Sequence, residues 1–287
     1  MFDLGGLITD WFNDLLINGI IANFTNMFDE VNYRVGTIAD QVGQTPQGWN
    51  PNIFNLVQNL SETVVIPIAG MILTFILCYE LINMVIERNN MSDFQTFEIY
   101  KWVFKAFVAV YILTNTFAIV MAVFEMAQHV VNSSAGVISG SLDLDIALYD
   151  LVELLEEMGT GELIGLLIET TILRLAIQVM GVVVFIIIFG RMIEIYLVVS
   201  IAPIPFATMI NREWGTIGNN YLKSLFALAF QAFLIMICIA IYAALITTIT
   251  APENIRASAW MSAGYTLLLC FTLFKTGSLA KSIFGAS

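Results

Sequence analysis

Apolar runs long enough to cross a bilayer recur through this chain and leave room for little else. A helix rises about 1.5 Å per residue and the hydrocarbon layer is about 30 Å thick, so roughly 20 apolar residues span it. Residues 64–86, 103–124, 163–190, 225–249 and 257–274 meet or approach that length. A sixth run, MIEIYLVVSIAPIPFATMI at 192–210, is interrupted by Pro203 and Pro205. With 59% hydrophobic residues, 12% charged residues and a mean hydropathy of +0.84, the chain lies outside the range of soluble domains. The fold class that follows is all-α, a polytopic membrane protein.

The remaining segments are short and acidic. Over residues 2–28, Leu4, Leu7, Ile8, Trp11, Phe12, Leu15, Leu16 and Ile20 recur at three- and four-residue steps. Asp3, Asp10, Asn13, Asp14 and Asn18 occupy the other side, which predicts an amphipathic helix. Residues 40–52, DQVGQTPQGWNPN, read as a loop. Residues 143–158, DLDIALYDLVELLEEM, carry a Leu144, Leu148, Leu151, Leu155 stripe with acids on the remaining faces, a second amphipathic helix closed by Gly159 and Gly161. The division expected is an extracytoplasmic helix and loop at 1–63 and a polytopic membrane domain at 64–281, with an external acidic loop and helix at 125–162. No basic leader precedes the first helix, so nothing is expected to be removed.

Whether residues 192–210 cross the membrane decides the topology, and the positive charges choose. Lys and Arg bias orientation toward the cytoplasm, whereas acids contribute little. If the run does not cross, Arg88, Lys101, Lys105, Arg191, Arg212, Lys223, Lys275 and Lys281 lie inside and only Arg34 and Arg256 outside, eight against two. A sixth crossing gives five against five. The five-span reading puts the N-terminus outside, the C-terminus inside, and makes residues 192–224 a re-entrant or interfacial broken helix on the cytoplasmic side. Pro203 and Pro205 fit that geometry: each lacks an N–H and pushes the residue before it toward extended backbone, so a helix reaching Ser200 is expected to end there. The alternative is a proline kink in a sixth span.

Polar residues inside the spans are the candidate sites. Arg174 lies about ten residues into its span, about 15 Å deep, where a charge is a functional candidate or one half of an interhelical salt bridge. Glu169 is five residues away, poor spacing for a same-helix pair, whereas Gln178 follows one turn later. Glu80 is placed to meet Arg191 or Lys105. Asn115, between Thr114 and Thr116, and Gln231 are expected to hydrogen-bond across helices. Net charge of −12 argues against a broad basic surface for nucleic acid. Cys78, Cys238 and Cys270 have no metal-ligand spacing, and His129 is the only histidine. No phosphate loop or HExxH is present, so neither catalysis, nor a metal, nor a cofactor is expected.

The topology, the broken segment IAPIPFA and the Trp-containing stretch NREWGTIGNNYLKSLFALAFQ after it together resemble the TrbL-type polytopic inner-membrane subunits of type IV secretion and conjugation systems. The resemblance implies a non-enzymatic scaffold or channel subunit that assembles as a homo-oligomer among membrane lipids. Its implied neighbours are other secretion-system membrane subunits, a pilin-like subunit outside and the secretion ATPase inside, with single-stranded DNA bound to its relaxase as transient cargo. The acidic external helices suit docking, and no basic groove for DNA is evident. Two other readings remain: a small secondary transporter, whose substrate site the proline-broken helix would form, and a homo-oligomeric pore.

Overall fold

The computed structural model describes residues 4–86, 96–138, 148–247 and 255–286, which are helical apart from short turns, with no strand among them. The first helix, α1 (Leu4–Val42), continues well past the expected amphipathic segment. The turn signals after it act in sequence. Thr45 caps α2 (Pro46–Trp49), its hydroxyl accepting from the Gly48 amide at 3.0 Å. Asn50 caps α3 (Pro51–Leu60), its Oδ1 accepting from the amides of Asn52 and Ile53, each at 3.1 Å. Both helices open on proline, whose missing N–H is not needed in a first turn. A π-helical turn, Ser61–Val65, carries α3 directly into α4 (Ile66–Ile86). The first span is thus part of one 36-residue helix, Pro51–Ile86.

The apolar run at 103–124 forms two helices, α5 (Thr96–Thr114) and α6 (Thr116–Ile138), bent by 65° at Asn115. The cause is local. Thr114 donates to the carbonyls of Val110 and Tyr111, Asn115 Nδ2 to that of Tyr111 at 2.8 Å, and Thr116 to those of Ile112 and Leu113. Three consecutive polar side chains folding back on the preceding turn compete with the amide ladder and bend it. Asn115 therefore acts on its own helix rather than across to another.

The acidic helix is described as α7 (Leu148–Glu156); Asp143 and Leu144 lie outside the described residues. The third span and the first part of the interrupted run form one helix, α8 (Thr160–Ser200), 41 residues or about 60 Å long. The break comes after Ser200, and α9 (Pro203–Thr208) opens on Pro203. Ala202 is helical there (φ −48°, ψ −40°) and not extended, because the chain turns by tightening: Ala202 N–H bonds Val199 O at 3.2 Å and Ile204 N–H bonds Ile201 O at 3.1 Å. Both prolines fall in the first turn of α9, where they displace no amide bond. The polar stretch after α9 is largely helical too. Asn211 Oδ1 accepts from the amides of Glu213 and Trp214 at 2.7 and 3.3 Å, and α10 (Gly215–Thr247) starts next. The last helix, α11 (Ile255–Phe284), extends beyond the expected span at its C-terminal end.

Four of these helices are long and apolar enough to cross a membrane, Pro51–Ile86, Thr160–Ser200, Gly215–Ile246 and Arg256–Phe284, and the bent pair makes five if counted as one span. The helices gather into two compact units, Met1–Val42 with Asn132–Ile188 and Leu234–Thr276, and Gly43–Val131 with Phe189–Phe233 and Gly277–Ser287. In the first, α1, α8 and α11 run in the same direction: Asn13 meets Thr160 and Asn23 meets Thr170, while Glu169 meets Trp260 and Met180 meets Cys270. Ile20 and Met27 of α1 and Leu163, Leu166, Leu173 and Ile177 of α8 are buried on these faces. Between helices in lipid such contacts gain packing rather than transfer from water.

In the second unit α10 runs antiparallel to the end of α8, as the pairs Arg191 with Leu228 and Tyr221 with Val198 require. Phe54, Phe117, Phe124, Ile195, Phe206 and Leu225 form its main core.

Candidate functional site

Two polar constellations hold most of the intramembrane candidates. In the first unit the centre is Asn23, a residue the apolar stripe of α1 does not announce as special. It falls between Ile20 and Met27 at helical spacing and is buried. Its Nδ2 donates to Thr170 Oγ1 at 3.1 Å and Thr171 Oγ1 at 2.9 Å, and its Oδ1 accepts from Arg174 Nη1 at 3.4 Å. Both threonines donate back to the backbone of α8, so their oxygens are free to accept. One carboxamide thus satisfies three side chains of α8. The close approach that permits this is at Gly19, where a β-carbon would stand 3.0 Å from Leu167 Cδ1.

Glu169 points elsewhere. Its carboxylate takes Arg256 Nε of α11 at 3.5 Å and the indole N–H of Trp260. The five-residue spacing from Arg174 thus separates two roles: Arg174 binds α1 and Glu169 binds α11. Charged or polar groups at this depth are expensive unless paired, and both are. A polar residue in the middle of an apolar stripe was the signal that identifies Asn23.

The second constellation surrounds the interrupted run. Pro203, Pro205, Phe206, Ala207 and Thr208 are all buried, and Ala207 packs with Ala69 and Leu73 of α4 and Ala109 and Leu113 of α5. Irregular backbone at depth requires such cover. Three features hold the hairpin between α9 and α10. Trp214 stacks on Phe75 and Tyr79, one turn apart on α4, with ring centroids 5.8 Å from each. Tyr221 OH donates to Val198 O at 3.1 Å. Gly218 lies so close to α9 that a β-carbon would stand 2.6 Å from Pro205 O and overlap Met209. Gly218 and Trp214 were not singled out from sequence, because only the folded hairpin brings them against α9 and α4.

The remaining candidates distribute as follows. Glu80 accepts from Lys105 Nζ at 2.6 and 2.8 Å, choosing Lys105 over Arg191. Arg191 is buried; its Nη2 donates to Leu228 O at 3.3 Å, and its Nε has no partner among the described residues. Gln231 is buried with its amide 3.2 Å from where a β-carbon of Gly277 would sit. Lys101 lies over the Phe97 ring at 4.6 Å. Arg212 and Lys223 are exposed, and Lys281 pairs with Glu194 at 3.5 Å. At the end of α8, Tyr196 OH donates to Pro46 O at 2.6 Å, and Trp49 packs edge-on against Phe189. Among the described residues no group of three His, Cys, Asp or Glu side chains converges to hold a metal.

An all-helical chain with four to five bilayer-length helices, buried intramembrane polar pairs and a proline-broken element packed inside protein defines a multi-pass membrane protein. Residues 31–203, well over half the chain, match the family described as TrbL/VirB6 plasmid conjugal transfer like protein, and the chain belongs to that family. It is therefore a membrane component of a conjugal transfer system. The matched region ends at the first proline of α9, so the Trp-containing stretch beyond it lies outside the match. No curated protein and no solved structure matches the chain.

Proposed function

We propose that this chain is a non-enzymatic scaffold or channel subunit of a type IV secretion machine for conjugative DNA transfer, resident in the cytoplasmic membrane. The family match over residues 31–203 carries the reading. Its N-terminus faces out and its C-terminus in, as the eight-to-two distribution of Lys and Arg favours. On that orientation the start of α1, beside Thr160, and the acidic region 125–162 face outward, where they dock a pilin-like or other extracytoplasmic partner. Arg212 and Lys223, exposed at the start of α10, present the inner face to the ATPase and its neighbours. Single-stranded DNA with its relaxase passes as transient cargo, and the subunit works as a homo-oligomer.

The buried, capped hairpin between α9 and α10 supports a scaffold role, since an element this tightly held transmits position rather than opening to a solute. Deleting the gene in a donor strain is expected to abolish DNA transfer without a growth defect, with recovery on complementation; normal transfer from the deletion strain would eliminate the reading. Single cysteines at positions 212 and 223 are expected to resist an impermeant maleimide in intact cells and to react after permeabilisation. Labelling from outside would reject the orientation alone.

A further inference from the structure

The outward face of α8 carries a residue that lipid cannot satisfy. Thr171, Leu175, Gln178 and Val182 recur at steps of four, three and four, the alternation of a helix-packing seam, and all four are exposed. Flanking Leu175 and Val182 on the same face, Ile172, Val179 and Ile186 are 58, 65 and 59% exposed. Lipid covers such aliphatic side chains without cost. Gln178 is different: its carboxamide is exposed and has no hydrogen-bond partner among the described residues. It lies about 22 Å along the helix from residue 163 and about 18 Å from residue 190, close to mid-span. An unpaired amide there faces hydrocarbon at a cost that membrane helices avoid by bonding across to another helix.

We propose that a second copy of this chain packs on this face of α8 and that Gln178 of each copy hydrogen-bonds the other. Two properties select a second copy over a different subunit. A carboxamide carries both donor and acceptor, so an identical group at the same depth satisfies it completely. The face from Leu175 to Gly190 contains no charge, so it offers a different partner nothing to recognise by sign, whereas an isologous contact needs only the same surface twice. Gln178 thereby sets the register of the two helices, as a single polar residue does within an apolar seam. The inference rests on the membrane assignment and deepens the oligomeric reading by naming its surface.

Photo-crosslinking in intact membranes tests it on the full chain. A benzophenone amino acid at Leu175 or Val182 is expected to give a species of twice the chain mass, and one at Ile241, equally exposed on α10, is not. Gln178→Leu is expected to weaken self-association about 3- to 30-fold, the range of one interhelical hydrogen bond in a membrane, with Gln178→Asn retaining most of it. Crosslinks at 175 to lipid alone or to another protein, or unchanged self-association in Gln178→Leu, would overturn the proposal. DNA transfer scored in parallel separates the two readings: transfer without crosslinks sinks the seam, and crosslinks with transfer intact in the gene-deletion strain sink the conjugation role.

Discussion

Replacing Gly218 by alanine tests whether the hairpin between α9 and α10 is held by backbone contact. The new β-carbon would stand 2.6 Å from Pro205 O and overlap the Met209 side chain. Met209 is flexible and can swing aside. Pro205 O cannot, because it is main chain in a buried helix and already accepts the Thr208 hydroxyl at 2.7 Å. An ordinary carbon to oxygen contact is about 3.3 Å or longer, so α9 and α10 must separate by about 0.7 Å or more. Overpacking of this kind costs about 1–3 kcal/mol, and alanine's helix preference over glycine returns up to about 1 kcal/mol. A net loss of about 1–2 kcal/mol raises the opened population of the hairpin about 5- to 30-fold. Amide hydrogen exchange of residues 203–214 in nanodiscs reads that population directly. Gly264→Ala is the control: its β-carbon meets nothing within 4 Å, so exchange there should slow or stay unchanged. Equal exchange in Gly218→Ala and wild type would refute the contact argument.

Trp214→Ala removes two ring stacks, on Phe75 and Tyr79, and is expected to loosen the same hairpin by about 1–3 kcal/mol, with Trp214→Phe recovering part; exchange over residues 209–214 measures both. Glu80→Gln leaves the Lys105 ammonium without its carboxylate and should lower the thermal unfolding temperature in detergent. The double variant with Lys105→Met should recover most of the loss, giving a coupling energy of about 1–2 kcal/mol, the lower end of the range because Lys105 is 39% exposed. Asn23→Ala deprives Arg174 and two threonines of one shared partner and is expected to free α1 from α8 at a cost of about 1–2 kcal/mol, seen as faster proteolysis within α1, while Asn13→Ala at the helix end should do less.

What this sequence determines alone is its solvent. The recurrence of bilayer-length apolar runs admits few folds, and the class needs no tertiary information because it depends on composition averaged over about 20 residues. Pro203 and Pro205 mark the end of α8 for a similar reason: a missing N–H is a property of one residue. The geometry of that break is not local. Ala202 stays helical because the chain around it tightens into short-range bonds, an outcome settled by the packing of Ala207 against α4 and α5. The bend at Asn115 lies between these cases, since its polar triplet is visible in sequence but the choice of its own helix over a neighbour is not. Pairing is the part that only the tertiary structure decided. Glu80 had two cations within plausible reach and took Lys105, while Arg174 and Glu169 turned to different helices. A side chain's partner depends on the rotation of two helices about their axes, which the spacing within either helix leaves free.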